Sequence, residues 1–217
     1  MNKRLIGVGA ISMIAIIGVL LSLFGTTTDQ NTQVGTLSRE RIGGSVASWV
    51  SDAVTVSQLK KEADLVVKVR VINAPTTRIV RSELPMVDEQ GTEIIGTKID
   101  EMAFSDTEFE VLEVYFGKPL EKILVMQTGG MDPKNPDLRS EMRDDPLYNI
   151  GEEYVLFLVD ISGDPVQAPD RELYRIVNPY GRYKIEGQNV NSYGEKKEGV
   201  EVPMTLDELL TQIEETP

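Results

Sequence analysis

Carboxylates are the most abundant side chains in this sequence that could do chemistry. The chain of 217 residues contains 35 Asp and Glu but no His and no Cys. His is the commonest general base and metal ligand, and Cys is the usual thiol nucleophile, so most catalytic triads, thiol enzymes and transition-metal sites are excluded. We therefore predict a protein that is not an enzyme and binds no cofactor. An enzyme that uses carboxylates, or Ser with Lys, is the alternative.

The densest group of carboxylates lies in a proline-marked segment at positions 129–153. Its members are Asp132, Asp137, Glu141, Asp144, Asp145, Glu152 and Glu153. Carboxylate oxygens suit Ca²⁺, but the segment lacks an Asp-x-Asp-x-Asp-Gly loop with a distal Glu. No spacing singles out a pair of acids for glycoside hydrolysis. We expect a solvated loop without a metal site, and the alternative is a calcium ion shared by Asp144, Asp145 and Glu152.

A second candidate site is the segment Asn178-Pro179-Tyr180-Gly181-Arg182-Tyr183. Two tyrosines and an arginine at this spacing could form a platform for a sugar or a peptide. The same pattern is what an ordinary hairpin needs, because Tyr183 and Ile185 alternate before a glycine turn. We favour the hairpin.

A third candidate is the basic face of a predicted strand, which carries Lys68 and Arg70. These residues could receive an anionic partner. Glu108, Glu110 and Glu113 on a neighbouring predicted strand are simpler partners, since opposite charges pair across a sheet. We therefore assign no catalytic residue and leave the binding residues unassigned.

The N-terminal segment predicts the cellular location of the protein. Leu5–Phe24 is a run of twenty uncharged residues preceded by two basic ones. A helix of this length is roughly 30 Å long and matches the hydrocarbon core of a bilayer. The next basic residue is Arg39, so residues 1–4 are predicted to be a cytoplasmic flank and the rest to be exported. The segment lacks a good cleavage site, so we predict an uncleaved signal anchor in the cell membrane, with a cleaved signal peptide as the alternative.

The exported part is predicted to comprise a flexible tether at residues 25–52 and one domain at residues 53–217. Trp49 could contact the membrane interface or dock on the domain, and we expect docking. Two of the 22 basic residues lie in the first four positions, so the exported part carries 20 basic and 35 acidic residues, a net charge of −15. This charge argues against nucleic acid as a partner.

The domain is predicted to be mainly β, with a short N-terminal helix and a C-terminal flanking helix. Its several short strands indicate a small β-barrel or a sandwich, and we favour the barrel. The predicted strands are Leu65–Val71, Thr107–Phe116, Ile123–Met126, Tyr154–Val159, Leu173–Val177 and Gly181–Val190. A phase change at Val111-Leu112 predicts a β-bulge. The polar stretch from Ser82 to Gly96 is predicted to interrupt the strands.

A first helix is predicted at Ser57–Ala63, where Thr55 or Ser57 can be the N-cap and Gln58 can complete a capping box with Thr55. A capping box of Thr205 with Glu208 predicts the C-terminal helix. We expect one set of apolar residues to be buried together inside the barrel. This set is Val67, Val69, Val71, Val111, Leu124, Val155, Phe157 and Val159.

The order of these segments resembles the netrin-like modules, which include the tissue inhibitors of metalloproteinases. The resemblance rests on Ala63–Val71, Val111–Gly117, Ile123–Gln127 and Gly151–Phe157. It implies a five-stranded barrel of the OB type flanked by helices. Those inhibitors bind the protease zinc through an N-terminal cysteine, and this chain has none, so the inhibitory residues have no counterpart here. The Ala-Asp-Leu-Val-Val and Gly-Glu-Glu-Tyr-Val-Leu-Phe-Leu segments also resemble membrane-anchored extracytoplasmic proteins of bacteria.

These observations together predict a single-pass membrane protein whose C-terminal domain is extracytoplasmic. We expect it to be a binding or interaction module whose partner is a protein or another component of the cell envelope. A protease-inhibitor-like module is a further alternative.

Overall fold

The computed structural model of the chain describes residues 41–45, 49–87, 93–118, 120–131, 139–194 and 202–217. The predicted membrane anchor Leu5–Phe24 and most of the predicted tether at 25–52 lie outside these residues. Within the described ranges, every helix is too short or too polar to cross a bilayer.

The described residues are mainly β. The strands are β1 (Arg41–Ser45), β2 (Leu65–Val71), β3 (Thr76–Val87), β4 (Glu93–Phe116), β5 (Lys122–Met131), β6 (Arg139–Met142), β7 (Glu153–Asp160), β8 (Tyr174–Ile176), β9 (Arg182–Glu186) and β10 (Asn189–Ser192). The helices are α1 (Val56–Glu62) and α2 (Leu206–Glu215), with a 3-10 turn at Pro179–Gly181.

Five of these strands close into a barrel. β2 lies between β4 and β7, and β4 pairs with β5 on its other side. β8 completes the ring because it pairs in parallel with β5 and antiparallel with β7. The predicted barrel is confirmed, and its arrangement is consistent with an OB-like fold.

A bulged strand allows the barrel to curve. In the β2–β4 pairing, Val69 faces Val111 while Lys68 faces Glu113, so Leu112 is an extra residue in β4. A second shift leaves Tyr115 unpaired in the same way. Each extra residue bends the strand and increases its twist. The bulge predicted at Val111-Leu112 is therefore confirmed.

The core is divided into layers by the two faces of β7, whose middle residues are all buried. Tyr154, Leu156 and Leu158 point into the barrel, where they meet the inward valines of β2. Val155 and Phe157 point the other way and pack under the helices. Successive strand residues lie on opposite faces, so β7 contributes to two clusters at once.

The prediction of one common core was therefore wrong. Val67, Val69 and Val71 belong to the barrel cluster, whereas Val155 and Phe157 belong to the helix cluster. The other three members are only partly buried: Val111 packs on the barrel cluster, Val159 on the helix cluster and Leu124 on a third cluster outside β5. The sequence showed which strand was buried but not what covered each face.

Both predicted capping boxes are present and begin the two helices. Leu59 of α1 and Leu209 and Ile213 of α2 are buried against the outer face of β7. Lys60 Nζ donates to the carbonyl oxygens of Ile213 and Thr216 at the end of α2. A cation at a helix C-terminus is favourable because the last carbonyls lack helical partners.

The polar stretch from Ser82 to Gly96 was predicted to interrupt the strands, but its described residues, 82–87 and 93–96, belong to β3 and β4. β3 pairs antiparallel with the first part of β4, from Thr76 opposite Asp106 to Val87 opposite Glu93. We call this two-stranded ribbon, residues 76–87 and 93–106, the arm. Cross-strand backbone hydrogen bonds do not depend on side-chain polarity, so a polar sequence can form a ribbon without the apolar alternation that predicts a strand.

Two parts of the predicted tether belong to the folded unit. β1 pairs in parallel with β6. Trp49 packs on the barrel cluster, and its Nε1 donates to Asp144 Oδ2 at 2.7 Å. Docking of Trp49 on the domain is confirmed, and the segment before β2 is tied down by a strand and an aromatic side chain.

Replacing Phe157 by alanine tests the helix cluster. Phe157 is completely buried, so we expect the variant to lose about 3 to 5 kcal/mol of unfolding free energy. Phe116→Ala is the matched control because Phe116 is 41% exposed, and we expect it to lose less than about 1 kcal/mol. Chemical denaturation of both variants measures the difference, and equal losses would show that β7 is not central.

Candidate functional site

Three segments meet at a charged cluster on the outer face of β4. Asp106 of β4 accepts a hydrogen bond from Arg78 Nε of β3 at 2.7 Å and from Arg171 Nη1 of the β7–β8 loop at 2.8 Å. Both arginines use Asp106 Oδ2. Asp106 is only 7% exposed, and its Oδ1 is buried without a hydrogen-bond partner among the described residues. We call Arg78, Asp106 and Arg171 the rim cluster.

Neighbouring side chains fix the orientation of Arg78. Its Nη2 contacts Met126 Sδ at 3.2 Å, and its guanidinium lies 5.8 Å from the centre of the Phe104 ring. Phe104 and Met126 are buried against Ala168 and Leu173. The arginine therefore lies over an apolar floor that is shared by the arm, β5 and the β7–β8 loop.

The rim cluster presents cationic groups to solvent. Arg171 has a side chain that is 47% exposed, and its guanidinium has five N–H donors, so one contact leaves most of them free for a ligand. Arg175 of β8 faces Met126 in the sheet register, and its side chain makes no hydrogen bond or ion pair within the described part of the chain. Asp170 and Glu172 are exposed beside Arg171. The cluster can therefore bind a carboxylate within a mixed-charge surface.

The base of the arm is fixed from its other face by β5. Ser105 Oγ donates to the carbonyl oxygen of Gly129 at 3.0 Å, and Thr77 Oγ1 accepts from the Met131 amide at 2.9 Å. Gly130 has no room for a side chain, because a Cβ there would overlap Thr77 and Ser105. The rim cluster is thus built on a rigid support.

A second polar cluster is buried against the inward face of β7. Arg182, at the start of β9, is 0% exposed, and its Nη1 donates to Asp145 Oδ1 at 2.7 Å and to the carbonyl oxygen of Pro146. Its Nη2 donates to Tyr154 Oη at 3.2 Å. Gln127 Nε2 of β5 also donates to Asp145 Oδ1, at 2.7 Å. The ion pair therefore links β5, β7, β9 and the loop before β7.

Aromatic rings surround the same guanidinium. The centres of the Tyr148, Tyr193 and Tyr154 rings lie 3.9, 4.2 and 4.9 Å from Arg182 Cζ. Tyr148 also packs edge-on against Tyr154 at 5.0 Å. Ring faces attract a cation, and the attraction is stronger where water is excluded. We call Arg182, Asp145, Gln127 and the three tyrosines the arginine cage.

Burial affects the two ions of the cage differently. Burial raises the pKa of Asp145, although Arg182 and Gln127 act to lower it. Desolvation acts to lower the pKa of Arg182, but the surrounding tyrosines and Asp145 outweigh it, so the pKa rises and the guanidinium stays charged. A buried guanidinium without a counterion would be very costly. We therefore assign Asp145 as an ionised carboxylate.

A partly exposed network lies next to the cage. Glu152 Oε1 accepts from Lys184 Nζ at 2.7 Å, and Glu152 Oε2 accepts from Tyr154 Oη and from the Asn149 amide. Partial burial acts to raise the pKa of Glu152. The hydrogen bonds from Lys184, Tyr154 and Asn149 outweigh this effect and lower the pKa to about 2.

The predicted acidic segment is not a uniform solvated loop. Asp132 and Asp137 lie outside the described residues. Asp145 is buried against Arg182, and Glu152 pairs with Lys184. Asp144 accepts from Trp49, and Glu153 pairs with Arg70, while Glu141 accepts from the Leu147 amide. Within the described ranges, no group of three or more Asp or Glu is arranged to hold a metal ion.

The other two candidate sites follow the simpler interpretations. Tyr180 and Tyr183 are buried in the helix cluster, while Arg182 points to the other face of the sheet, so the three form no exposed platform. Residues 182–192 form a hairpin instead.

The basic face of β2 is paired across the sheet, as the sequence predicted. Lys68 Nζ lies 3.8 Å from Glu113, and Arg70 pairs with Glu110 at 3.5 Å and with Glu153 at 2.7 Å. Glu108 pairs with Lys122 on β5 rather than with β2.

Sequence reasoning missed the rim cluster. Asp106 lies 28 residues from Arg78 and 65 from Arg171, and nothing in the local spacing connects them. No feature of the sequence indicated this cluster, because Asp106 precedes the predicted strand Thr107–Phe116 and its burial is seen only in the structure.

Removing the charge of Asp145 tests the arginine cage. We expect Asp145→Asn to lose about 3 to 5 kcal/mol of unfolding free energy, because it leaves a buried guanidinium uncompensated. Asp170→Asn, at an exposed position, should change stability by less than about 0.5 kcal/mol. The double variant Asp145→Leu with Arg182→Met should be more stable than Asp145→Asn. Thermal and chemical denaturation of the full chain checks all three.

Glu152 should make stability fall in acid. Its pKa is about 2 in the folded protein and near 4.3 in an unfolded chain, so the folded state favours the ionised form. The resulting stability is fully present above about pH 5 and is lost as the pH falls toward 2. Glu152→Gln should therefore show a smaller decrease in melting temperature between pH 5 and pH 2 than the parent. The exposed Glu214→Gln is the control, and parallel curves for all three proteins would contradict the assignment.

Comparison with known proteins adds no family to this description. The chain matches no model of a known protein family, and a search of curated proteins finds no match either.

Proposed function

We propose that this chain is a membrane-anchored, extracytoplasmic module that binds a protein of the cell envelope through the rim cluster. The observation that carries the proposal is the convergence of Arg78 and Arg171 on one buried carboxylate. Asp106 holds the two guanidiniums in place before any partner arrives. Side chains that already have their bound geometry lose less conformational entropy when a partner binds.

The partner that best fits this surface carries an acidic side chain or a terminal carboxylate. Arg171 is half-exposed, and a guanidinium binds a carboxylate through two parallel N–H donors. The exported part of the chain carries a net charge of −15. A local cationic group on an acidic protein favours one orientation of an acidic partner, since other approaches bring like charges together.

Location and fold support a binding role. The apolar run Leu5–Phe24 supports anchoring in the cell membrane with the domain outside. The barrel bears the arm and the β7–β8 loop on one face, and OB-type barrels commonly bind ligands with loops in such positions. The resemblance to netrin-like modules also supports a binding role. No described residue favours a protease-inhibitor-like module or a carboxylate-based or Ser/Lys-based enzyme over this proposal.

Cross-linking in intact cells tests the proposal. A photoreactive amino acid at position 166, which is exposed on the β7–β8 loop, should capture a protein partner. Arg171→Glu should reduce capture at least about tenfold, because a hydrogen bond to a charged group contributes roughly 1.5 to 3 kcal/mol. Lys61→Glu makes the same charge change at an exposed position on α1 and should leave capture unchanged.

Two outcomes would contradict parts of the proposal separately. Equal losses for Arg171→Glu and Lys61→Glu would show that net charge, and not the rim cluster, controls binding. Fractionation and N-terminal sequencing test the anchor: the protein should remain with membranes and retain Met1. An N-terminus near Thr28 would show that the segment is cleaved.

A further inference from the structure

The arm has a long edge that is paired on one side only. β4 pairs with β3 along all twelve residues from Thr76 to Val87. Among the described strands, none pairs with the opposite edge of β3. An unpaired edge presents a row of N–H and C=O groups that another strand can bind. We propose that two copies of this chain associate through antiparallel pairing of their β3 edges.

The charges along β3 are self-complementary. Arg81 is followed two residues later by Glu83. A two-fold axis through Ser82 would place Arg81 of each copy opposite position 83 of the other, so that two pairs of opposite charge form. Edges that resist pairing usually carry charges that repel a second copy. The order of charges on β3 instead brings opposite charges together when two copies pair.

Exposed apolar residues lie beside these charges on one face of the arm. Ile79 is 41% exposed and Ile99 is 61% exposed. Ile79 faces Ala103, Arg81 faces Glu101, and Ile99 faces position 83 in the β3–β4 register, so all share one face. In the proposed pairing, Ile79 faces Pro85 of the other copy. Apolar contacts would then flank the two ion pairs on both sides, and Pro85, which has no N–H, would end the pairing.

Pairing would also strengthen the outer part of the arm. Arg81 and Glu101 pair at 2.7 Å, but their side chains are 73% and 53% exposed, so this ion pair contributes little. A two-stranded ribbon is marginally stable in water, whereas three or more strands form a stable sheet. Two arms joined at β3 would make a four-stranded sheet. The two-fold pairing occupies the free β3 edge of each copy. No edge remains for a third copy, so the assembly is a dimer.

The absence of cysteine from the chain allows a clean test. In full-length protein in its membrane, Ser82→Cys should form a disulfide-linked species of twice the 24.1 kDa chain mass under mild oxidation. Residues that face each other across an antiparallel pair have Cα atoms about 4.5 to 5.5 Å apart, within the range of a disulfide. Ile99→Cys is the control. In the proposed pairing its two copies are three strand spacings apart, about 14 Å, and cannot be linked.

Charge exchange tests the register in the same membranes. Arg81→Glu in the Ser82→Cys protein should reduce the linked species at least about tenfold, because two pairs of like charge would then face each other. Adding Glu83→Arg should restore the linked species. This second change does not restore the ion pair between positions 81 and 101 within one copy. Recovery would therefore report contact between copies. Arg81→Glu should keep the melting temperature of the parent, since the Arg81 side chain is 73% exposed.

Three results would overturn the pairing. They are equal linkage of Ser82→Cys and Ile99→Cys, no effect of Arg81→Glu on linkage, and a monomer mass for the full chain in mild detergent by light scattering. None of them would affect the rim cluster, because Arg78, its member on β3, precedes the proposed paired positions 79–85.

Discussion

The fold depends on a charge that is completely removed from water. The Arg182 guanidinium is accommodated because Asp145 neutralises it, and Tyr148 and Tyr193 stack on it. A charged group in this position is very costly unless its counterion and hydrogen bonds are in place. Four segments must be correctly arranged to supply them. The arginine cage therefore makes the position of β9 and of the loop before β7 depend on the completed barrel.

The same requirement explains why β7 is buried on both faces. Its inward side supplies Tyr154 to the cage, and its outward side supplies Phe157 to the helices. A strand that packs on both faces couples the two layers, because its backbone cannot move without disturbing the packing of both. The helices α1 and α2 complete this arrangement. Their capping boxes set where they begin, and the contact between Lys60 and the end of α2 holds them together.

The sequence was informative where structure is local. Alternation predicted β2, two capping boxes predicted the helices, and the phase change near Leu112 predicted the bulge. Each of these signals lies within about ten residues of chain. The polar contacts could not be predicted in this way, since Asp145 and Arg182 are 37 residues apart. Nothing in a single sequence shows which of 35 acidic residues is brought to a given arginine, and the arm lacks the apolar alternation that reveals a strand.

Burial also determines which arginine is available to bind a partner. Arg182 and Arg171 both pair with one carboxylate at 2.7 to 2.8 Å, so distance alone does not distinguish their roles. The Nη atoms of Arg182 are engaged inside the protein, and its side chain has no exposed surface. Arg171 is half-exposed, and its position is fixed by a carboxylate that also holds Arg78. Binding to Arg171 leaves the core intact, whereas binding to Arg182 would require opening the barrel. We therefore propose the rim cluster for recognition and assign a role in stability to the arginine cage.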